Sequence, residues 1–514
     1  MILNGNNITI DSLYHAVQTA STKYQLSTEA RAAMQKSRDY IEKRIASGEV
    51  MYGVNTGFGA FSSVRISDDQ IEQLQKNLIR SHSMGIGEPF SKIQSRAMMV
   101  LRANTLARGH SGIRPQVVDQ IITFLNHDLI PVIPQQGSVG ASGDLAPLSH
   151  LALALIGEGE VWGDHGEKIS AADKLAQLKI TPLELKAKEG LSLINGCQVM
   201  TAVGLLSLYE MRELLKIADI SGAMSLEALK GSRKAFDPLI SATRPHIGES
   251  VTAENLRRIL SETSEIADSH IGCNKVQDAY SLRCMPAVHG ATKDYLNHSI
   301  QVLETEANSS TDNPLVFADE NKILSCGNFH GMPVAFAMDS IAIALSAQAS
   351  ISECRIAKLI NPAMSELPAF LAPDGGLNSG HMIVQVAAAS LVSENKVLAH
   401  PASVDTIPTS AEKEDHVSMG TIAARKFTMI LRNAENIFAM ELLSATQGID
   451  LLSPLKPSPA LNAVYQVIRE HVPFAKVDRY FAKDVEAVKK LMTSGQIVQA
   501  AEKVIGPIKL KAEK

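Results

Sequence analysis

Apolar residues recur along this chain at intervals of three and four over long stretches, and strict alternation is rare. Ile71, Leu74, Leu78 and His82 share one face of a helical period, and Gly85 is placed to end that helix. Leu148, Leu151 and Leu155 repeat the spacing after Asp144, which is positioned to cap the helix, with Pro147 in its first turn. The period returns from Gln198 to Leu215 and over about 290–361, 383–398 and 417–446, with Gly and Pro clusters between, which is the punctuation of a helix bundle. A further amphipathic helix is expected over Val485 to Val504, with a solvated, lysine-rich end. Only the beginning reads differently. Ile8-Thr9-Ile10 predicts part of a strand pair, and Tyr52-Gly53-Val54-Asn55-Thr56-Gly57-Phe58-Gly59 predicts a turn that brings backbone close to a partner. The expected architecture is mainly α, with a smaller mixed region over 1–110 and a large helical core over 111–514.

Length and composition narrow the classes. At 514 residues the chain exceeds one ordinary core, so at least two packed regions are expected. Its 49 basic and 54 acidic residues leave a net charge of −5 and no basic stripe, which argues against nucleic acid as a partner. The five cysteines are odd in number and form no CxxC pair, against a disulfide framework or a zinc site and in keeping with a reducing cytoplasm. Met1-Ile2-Leu3-Asn4 lacks the basic start of an export signal. The apolar segments Val334 to Ala349 and Ile383 to Val392 are interrupted by Asp339 and Gln385; they read as buried helices too short to span a bilayer, so no membrane partner is expected.

The stretch Gly137-Ser138-Val139-Gly140-Ala141-Ser142-Gly143-Asp144 opens directly into an apolar helix, at the positive end of its dipole. It lacks the Lys-Ser/Thr of a phosphate loop and the GxGxxG of a dinucleotide site. One remaining reading is a plain tight turn. The other is chemical: the Gly143 nitrogen attacks the Ala141 carbonyl, water leaves, and Ser142 loses its hydroxyl to become a dehydroalanine, giving a methylidene-imidazolone. Glycine suits the attacking position because a side chain would obstruct the bend. Further along, Gln277, Tyr280 and Arg283 line one edge of a helical turn that Pro286 cuts short. By spacing alone, a solvated surface is the better reading of that arrangement; His82 alone is a satisfied core histidine, and Glu414 alone a loop carboxylate.

Residues 137–150, Gly-Ser-Val-Gly-Ala-Ser-Gly-Asp-Leu-Ala-Pro-Leu-Ser-His, resemble the signature of the aromatic amino acid ammonia-lyases, and further motifs match in order across nearly the whole chain. The resemblance implies a helical core of the fumarase-aspartase kind and a methylidene-imidazolone formed from Ala141, Ser142 and Gly143, with no external cofactor and no metal. Deaminating an α-amino acid by elimination needs an electrophile for the poor amine leaving group and a base for the weakly acidic β-hydrogen. Gln277-Asp278-Ala279-Tyr280-Ser281-Leu282-Arg283-Cys284 is similar to the family motif that supplies Tyr280 as the β-proton base, Arg283 as a bidentate carboxylate clamp and Gln277 as a substrate contact. By the same resemblance Tyr52 takes an acid/base or positioning role, Asn195 contacts the cofactor carbonyl and substrate, and Phe329, within Gly327-Asn328-Phe329-His330-Gly331, faces the methylidene.

Glu414-Asp415-His416-Val417-Ser418-Met419-Gly420 resembles the histidine-acting members, with Glu414 and His82 as polar partners of an imidazole and Met382 packed beside the ring. The implied activity is deamination of L-histidine to trans-urocanate and ammonia, the first step of histidine degradation. The alternatives on the same scaffold are an aminomutase or a tyrosine/phenylalanine ammonia-lyase; a third is a helical scaffold without activity. The family also implies a cytoplasmic homotetramer whose sites draw on several subunits. Ala287, Met332 and Lys413 depart from the family pattern, each removing or reversing a polar group near the expected site.

Overall fold

In the computed structural model, which describes residues 1–57, 61, 64–261 and 263–512, helix dominates, as the periodicity predicts. The chain divides into two compact units. The first holds Met1–Tyr209, Ser299–Asp339 and Pro401–Arg425, and the second Glu210–His298, Ser340–His400 and Lys426–Lys514. Four of the five cuts fall inside a long helix, Gln198–Ala228, Met285–Ala307, Met332–Leu359 or Gly420–Leu451, and the fifth, between His400 and Pro401, falls in the loop between two helices.

Every named strand among the described residues belongs to the first unit, in four two-stranded pairs. Ile2–Leu3 runs parallel to Gln25–Leu26, and Ile86–Pro89, Glu160–Trp162 and Leu315–Phe317 pair antiparallel with Pro134–Gln136, Lys168–Ser170 and Lys322–Leu324. The strand expected at Ile8-Thr9-Ile10 is instead the start of helix Ile10–Val17. Thr9 and Ser12 bond reciprocally, each side chain accepting from the other's backbone N–H, in a capping box. The alternation there is only three residues long, and the helical spacing of the buried Leu13, Ala16 and Val17 overrides it.

Three helices of this unit pack on one another: Ile71–His82, Leu145–Leu155 and Glu189–Ile194. The first buries Ile71 and Leu78 of the face its period predicts, with Leu74 and His82 half-buried, and adds Gln75 and Ile79 to the buried side. Leu148, Leu151, Ala152 and Leu155 of the second are fully buried.

The second unit is helical throughout its named elements, and its core carries paired charges. Arg355 and Glu441 are both completely buried, with the Arg355 guanidinium donating to the carboxylate, Nη2 to Oε2 at 3.0 Å. Ser221, Ser225 and Ser352 hydroxyls donate to the same carboxylate. Without such full pairing, a buried charge would cost several kcal/mol, on the order of 3–5. The tail helix expected over Val485 to Val504 is two helices, Phe481–Thr493 and Gln496–Ile505, because Gly495 turns left-handed at φ 81° between them. The period over 290–361 is likewise divided, by the Leu315–Phe317 hairpin.

Helix Met332–Leu359 continues through Asp339 and is long and apolar enough to cross a membrane, with a mean hydropathy of 1.5; the apolar run is longer than Val334 to Ala349 suggests. Some 56% of its apolar window is buried within the protein, which is the behaviour of a core helix.

Candidate active site

A cavity of about 780 Å³ lies in the first unit, lined from the ends of its three mutually packed helices. His82 is the last residue of one helix, Asn195 follows the last residue of another, and Ser142 lies just before the third. All three side chains line the cavity, together with Tyr52 and Glu414. Five of the residues expected from sequence are therefore gathered in one place although they span more than 350 positions of chain.

The Ala141-Ser142-Gly143 loop is a tight turn with small residues at its corner. Gly140 and Gly143 face each other in an antiparallel bridge, so Ala141 and Ser142 form the corner of a tight turn. Gly143 has φ 73°, and a Cβ there would stand 2.1 Å from the Gly196 carbonyl oxygen, leaving room for glycine alone. The Asp144 N–H donates to that same oxygen at 2.7 Å, and the Ser138 hydroxyl donates to the Gly143 carbonyl at 3.1 Å. A turn bent this sharply, with no side chain on the attacking residue, fits the methylidene-imidazolone.

Asp144 occupies the N-cap position of helix Leu145–Leu155 but makes no side-chain bond to it, contrary to the sequence expectation. Its carboxylate instead caps helix Gln198–Ala228, accepting from Val199 and Met200 N–H at 2.9 and 3.0 Å, and it takes the Thr421 hydroxyl at 2.5 Å. Burial pushes this carboxyl up to about 6, against the pull of those three hydrogen bonds and Arg102. One carboxylate thus ties the loop to the starts of two further helices.

The polar groups in the cavity are fixed in different ways. His82 Nδ1 lies 2.8 Å from the Leu78 carbonyl, an oxygen that can only accept, so Nδ1 donates there. The Asn195 side chain is 4% exposed, lines the cavity, and its Oδ1 has no protein partner. A buried amide oxygen left unpaired is costly, which makes it a point for a ligand to engage. Glu414 accepts from the Ser142 hydroxyl at 3.2 Å and the Thr409 hydroxyl at 2.8 Å. The Tyr52 turn is held by the buried Asn55 and Thr56, whose side chains accept from the Met51 and Gly53 N–H groups at 2.8 and 3.2 Å. Phe58 and Gly59 of that motif lie outside the described residues.

Behind Asn195 stands a layer of buried polar groups with no local signal in the sequence. Arg102, fully buried, donates to the carbonyls of Ser192 and Asn195 and to Gln198 Oε1, closing the C-terminal end of helix Glu189–Ile194. Burial pulls its guanidinium down to about 10, opposed by Asp312, Cys197 and Asp144. At the other end of that helix, Gln75 Oε1 accepts from Gly190 N–H at 2.8 Å, and Lys188 reaches Asp312 at 2.8 Å. Burial works to raise the Asp312 carboxyl, but Lys188 and then Arg102 outweigh it and hold it below the usual range. The short helix that presents Asn195 is therefore braced at both ends.

Other expected residues lie elsewhere. Phe329 is half-buried and belongs to the same unit but does not line the cavity; its carbonyl accepts from the Cys197 thiol at 3.1 Å. Gln277, Tyr280, Arg283 and Met382 belong to the second unit. Tyr280 and Arg283 form a helical turn, Tyr280–Arg283, with Arg283 over the Tyr280 ring at 4.6 Å and Arg283 Nε donating to the Asp278 carbonyl. Gln277 precedes that turn in irregular, exposed chain, outside the helical turn whose edge its spacing predicted it to share, and Tyr280 is 72% exposed. Met382 opens helix Met382–Leu398, half-buried.

A glycine-bounded serine loop, an amide and a carboxylate converging on one cavity define a class, and comparison agrees. The model of the aromatic amino acid lyases matches residues 8–470, and the chain belongs to that family. A relative from Symbiobacterium thermophilum named histidine ammonia-lyase is 49% identical, over 96% of this chain and 97% of its own length. The crystal structure of a histidine ammonia-lyase from Trypanosoma cruzi superposes with a TM-score of 0.91 at 42% identity, covering 100% of this chain and 98% of the other. A tyrosine aminomutase from Streptomyces globisporus superposes with a TM-score of 0.92 at 37% identity, covering 99% and 100%.

Proposed function

We propose that this chain removes ammonia from L-histidine by non-oxidative elimination, releasing trans-urocanate. The observation that carries the reading is the Glu414 carboxylate in one cavity with Ser142, Asn195 and His82. A carboxylate with an imidazole ring beside it suits the polar ring nitrogens of a heteroaromatic side chain, which the ring of phenylalanine does not offer. The relatives named for histidine also stand nearer in sequence than the aminomutase, at 49% against 37% identity.

Once formed from Ala141-Ser142-Gly143, the methylidene-imidazolone supplies an electron sink for the departing amine. The remaining work falls to side chains. Glu414 and His82 orient the imidazole, and Asn195 holds a polar group of the substrate with its unpaired oxygen. In this reading Tyr280 removes the β-proton, Arg283 grips the carboxylate, Tyr52 is an acid/base partner, and Gln277, Phe329 and Met382 complete the substrate's surroundings. Arg283 lies over the exposed Tyr280 ring, and the exposed Ile271 and Val276 leave this segment's apolar surface uncovered. That exposure suits a homotetramer in which another copy completes each site, and the reading places the enzyme in the cytoplasm.

Product analysis tests the activity. L-Histidine should yield urocanate absorbance and free ammonia in equal amounts; β-histidine as the main product would mean an aminomutase, and cinnamate-type acids from other substrates would mean a different lyase. Activity measured across size-resolved fractions tests the assembly, since full turnover by a monomer would contradict it.

A further inference from the structure

Glu414 is held at both carboxylate oxygens. Oε2 accepts the Thr409 hydroxyl at 2.8 Å, and Oε1 accepts the Ser142 hydroxyl at 3.2 Å. Thr409 and Glu414 also pair through the main chain in both directions, at 3.0 and 3.3 Å, closing the turn over 410–413. Within that turn Ser410, Ala411 and Glu412 have φ of 52°, 53° and 63°. Three successive left-handed residues, none of them glycine, cost roughly 1–2 kcal/mol each, and such a run persists only where its surroundings impose it. Ser410 and Ala411 line the cavity beside Glu414.

From this geometry we infer that Thr409 is a positioning residue for substrate choice: it fixes Glu414 so that Oε1 meets the heteroaromatic ring. The inference rests on the proposed reading in which Glu414 contacts the imidazole. The two oxygens have different fates as the protein matures. Ring closure joins the Gly143 nitrogen to the Ala141 carbonyl carbon and releases one water. Dehydration of Ser142 releases a second, carrying away its Oγ and α-hydrogen. The bond from Ser142 to Oε1 is thereby lost, while the bond from Thr409 to Oε2 remains. One oxygen stays pinned and the other is released to accept an imidazole N–H. Without the threonine hydroxyl the carboxylate turns freely about its terminal bonds, and ordering it again falls on the ligand.

Thr409→Val removes the donor at nearly constant shape, and Thr409→Ser keeps it. Each variant is purified as the assembled enzyme, and intact mass confirms the same loss of water as the parent. The probe is 3-(imidazol-4-yl)propionate, which carries ring and carboxylate without the leaving amine; its Kd is measured by calorimetry beside L-histidine kinetics. Thr409→Val should raise the probe's Kd and the KM for L-histidine about tenfold, as loss of a hydrogen bond to a charged group predicts, with a smaller change in kcat. Thr409→Ser should stay within about twofold of the parent on the same grounds. Thr409→Val combined with Glu414→Gln should bind no more weakly than Glu414→Gln alone, because the threonine acts through the carboxylate. An unchanged Kd in Thr409→Val, additive losses in the double variant, or a serine variant as impaired as the valine one would each overturn the inference. If Thr409→Val does not fold, Thr409→Cys, a weak donor, should give an intermediate loss, and parental affinity there would also overturn it. If Glu414→Gln itself leaves the Kd unaltered, the contact between Glu414 and the imidazole is what fails.

Discussion

Gly143→Ala places one methyl group where the loop has no space. The new Cβ would lie 2.1 Å from the Gly196 carbonyl oxygen and 2.5 Å from its carbon, both backbone atoms that no rotamer change can move. Reaching ordinary contact requires the two backbone segments to part by more than 1 Å, which breaks the 2.7 Å bond from Asp144 N–H to that oxygen. The φ of 73° adds a left-handed penalty of about 1–2 kcal/mol for any residue with a Cβ. The lost hydrogen bond adds about 1 kcal/mol, so the total reaches about 2–4 kcal/mol with the residual strain. Urea unfolding of the purified variant should show that loss, and its intact mass should stay at the value of the uncyclised chain, since parting the backbone opens the tight turn over Ala141 and Ser142. A variant as stable as the parent, or one that still sheds water from the tripeptide, would refute the steric reasoning.

Two further outcomes concern buried charge in the second unit. Burial raises the Glu227 carboxyl to about 7, only partly offset by the Ser458 N–H and the Ser264 hydroxyl. The folded chain then holds that proton more tightly than the unfolded chain, so stability falls as pH rises from the ordinary carboxylate range through about 7, by up to about 3 kcal/mol. Glu227→Gln should flatten that slope in urea unfolding series at pH of about 5 and 8, and an unaltered slope would show that the group does not titrate as described. Arg355→Met strands the Glu441 carboxylate among its serines and should cost about 3–5 kcal/mol, whereas replacing both Arg355 and Glu441 by apolar residues should recover much of it. A double variant no better than the single one, by chemical denaturation, would contradict that account.

The sequence carried the long helices well, because a period of 3.6 sustained over a dozen residues has few competitors. Ile71 and Leu78 are buried on the face their spacing predicts, and Leu74 and His82 of that face are half-buried. It failed where the signal was short. Ile8-Thr9-Ile10 alternates like a strand, but the Thr9 and Ser12 capping box begins a helix there. Asp144 was correctly placed at a helix start, yet its carboxylate serves another helix some 55 residues away, a choice made by tertiary packing. The same limit hides Arg102, Gln75, Lys188 and Asp312. Charged and amide side chains read as surface, and each of these four has a buried partner 90 or more residues away that the local sequence does not reveal. Thr409 was invisible for a different reason: its role depends on a left-handed turn that no glycine announces.

The most direct measurement is the intact mass of the mature, catalytically active chain. The account predicts a mass below that of the 514-residue polypeptide by two waters, with the loss mapping to a peptide containing Ala141-Ser142-Gly143, and no turnover of L-histidine by Ser142→Ala. An active enzyme whose tripeptide retains its full mass would contradict the central claim.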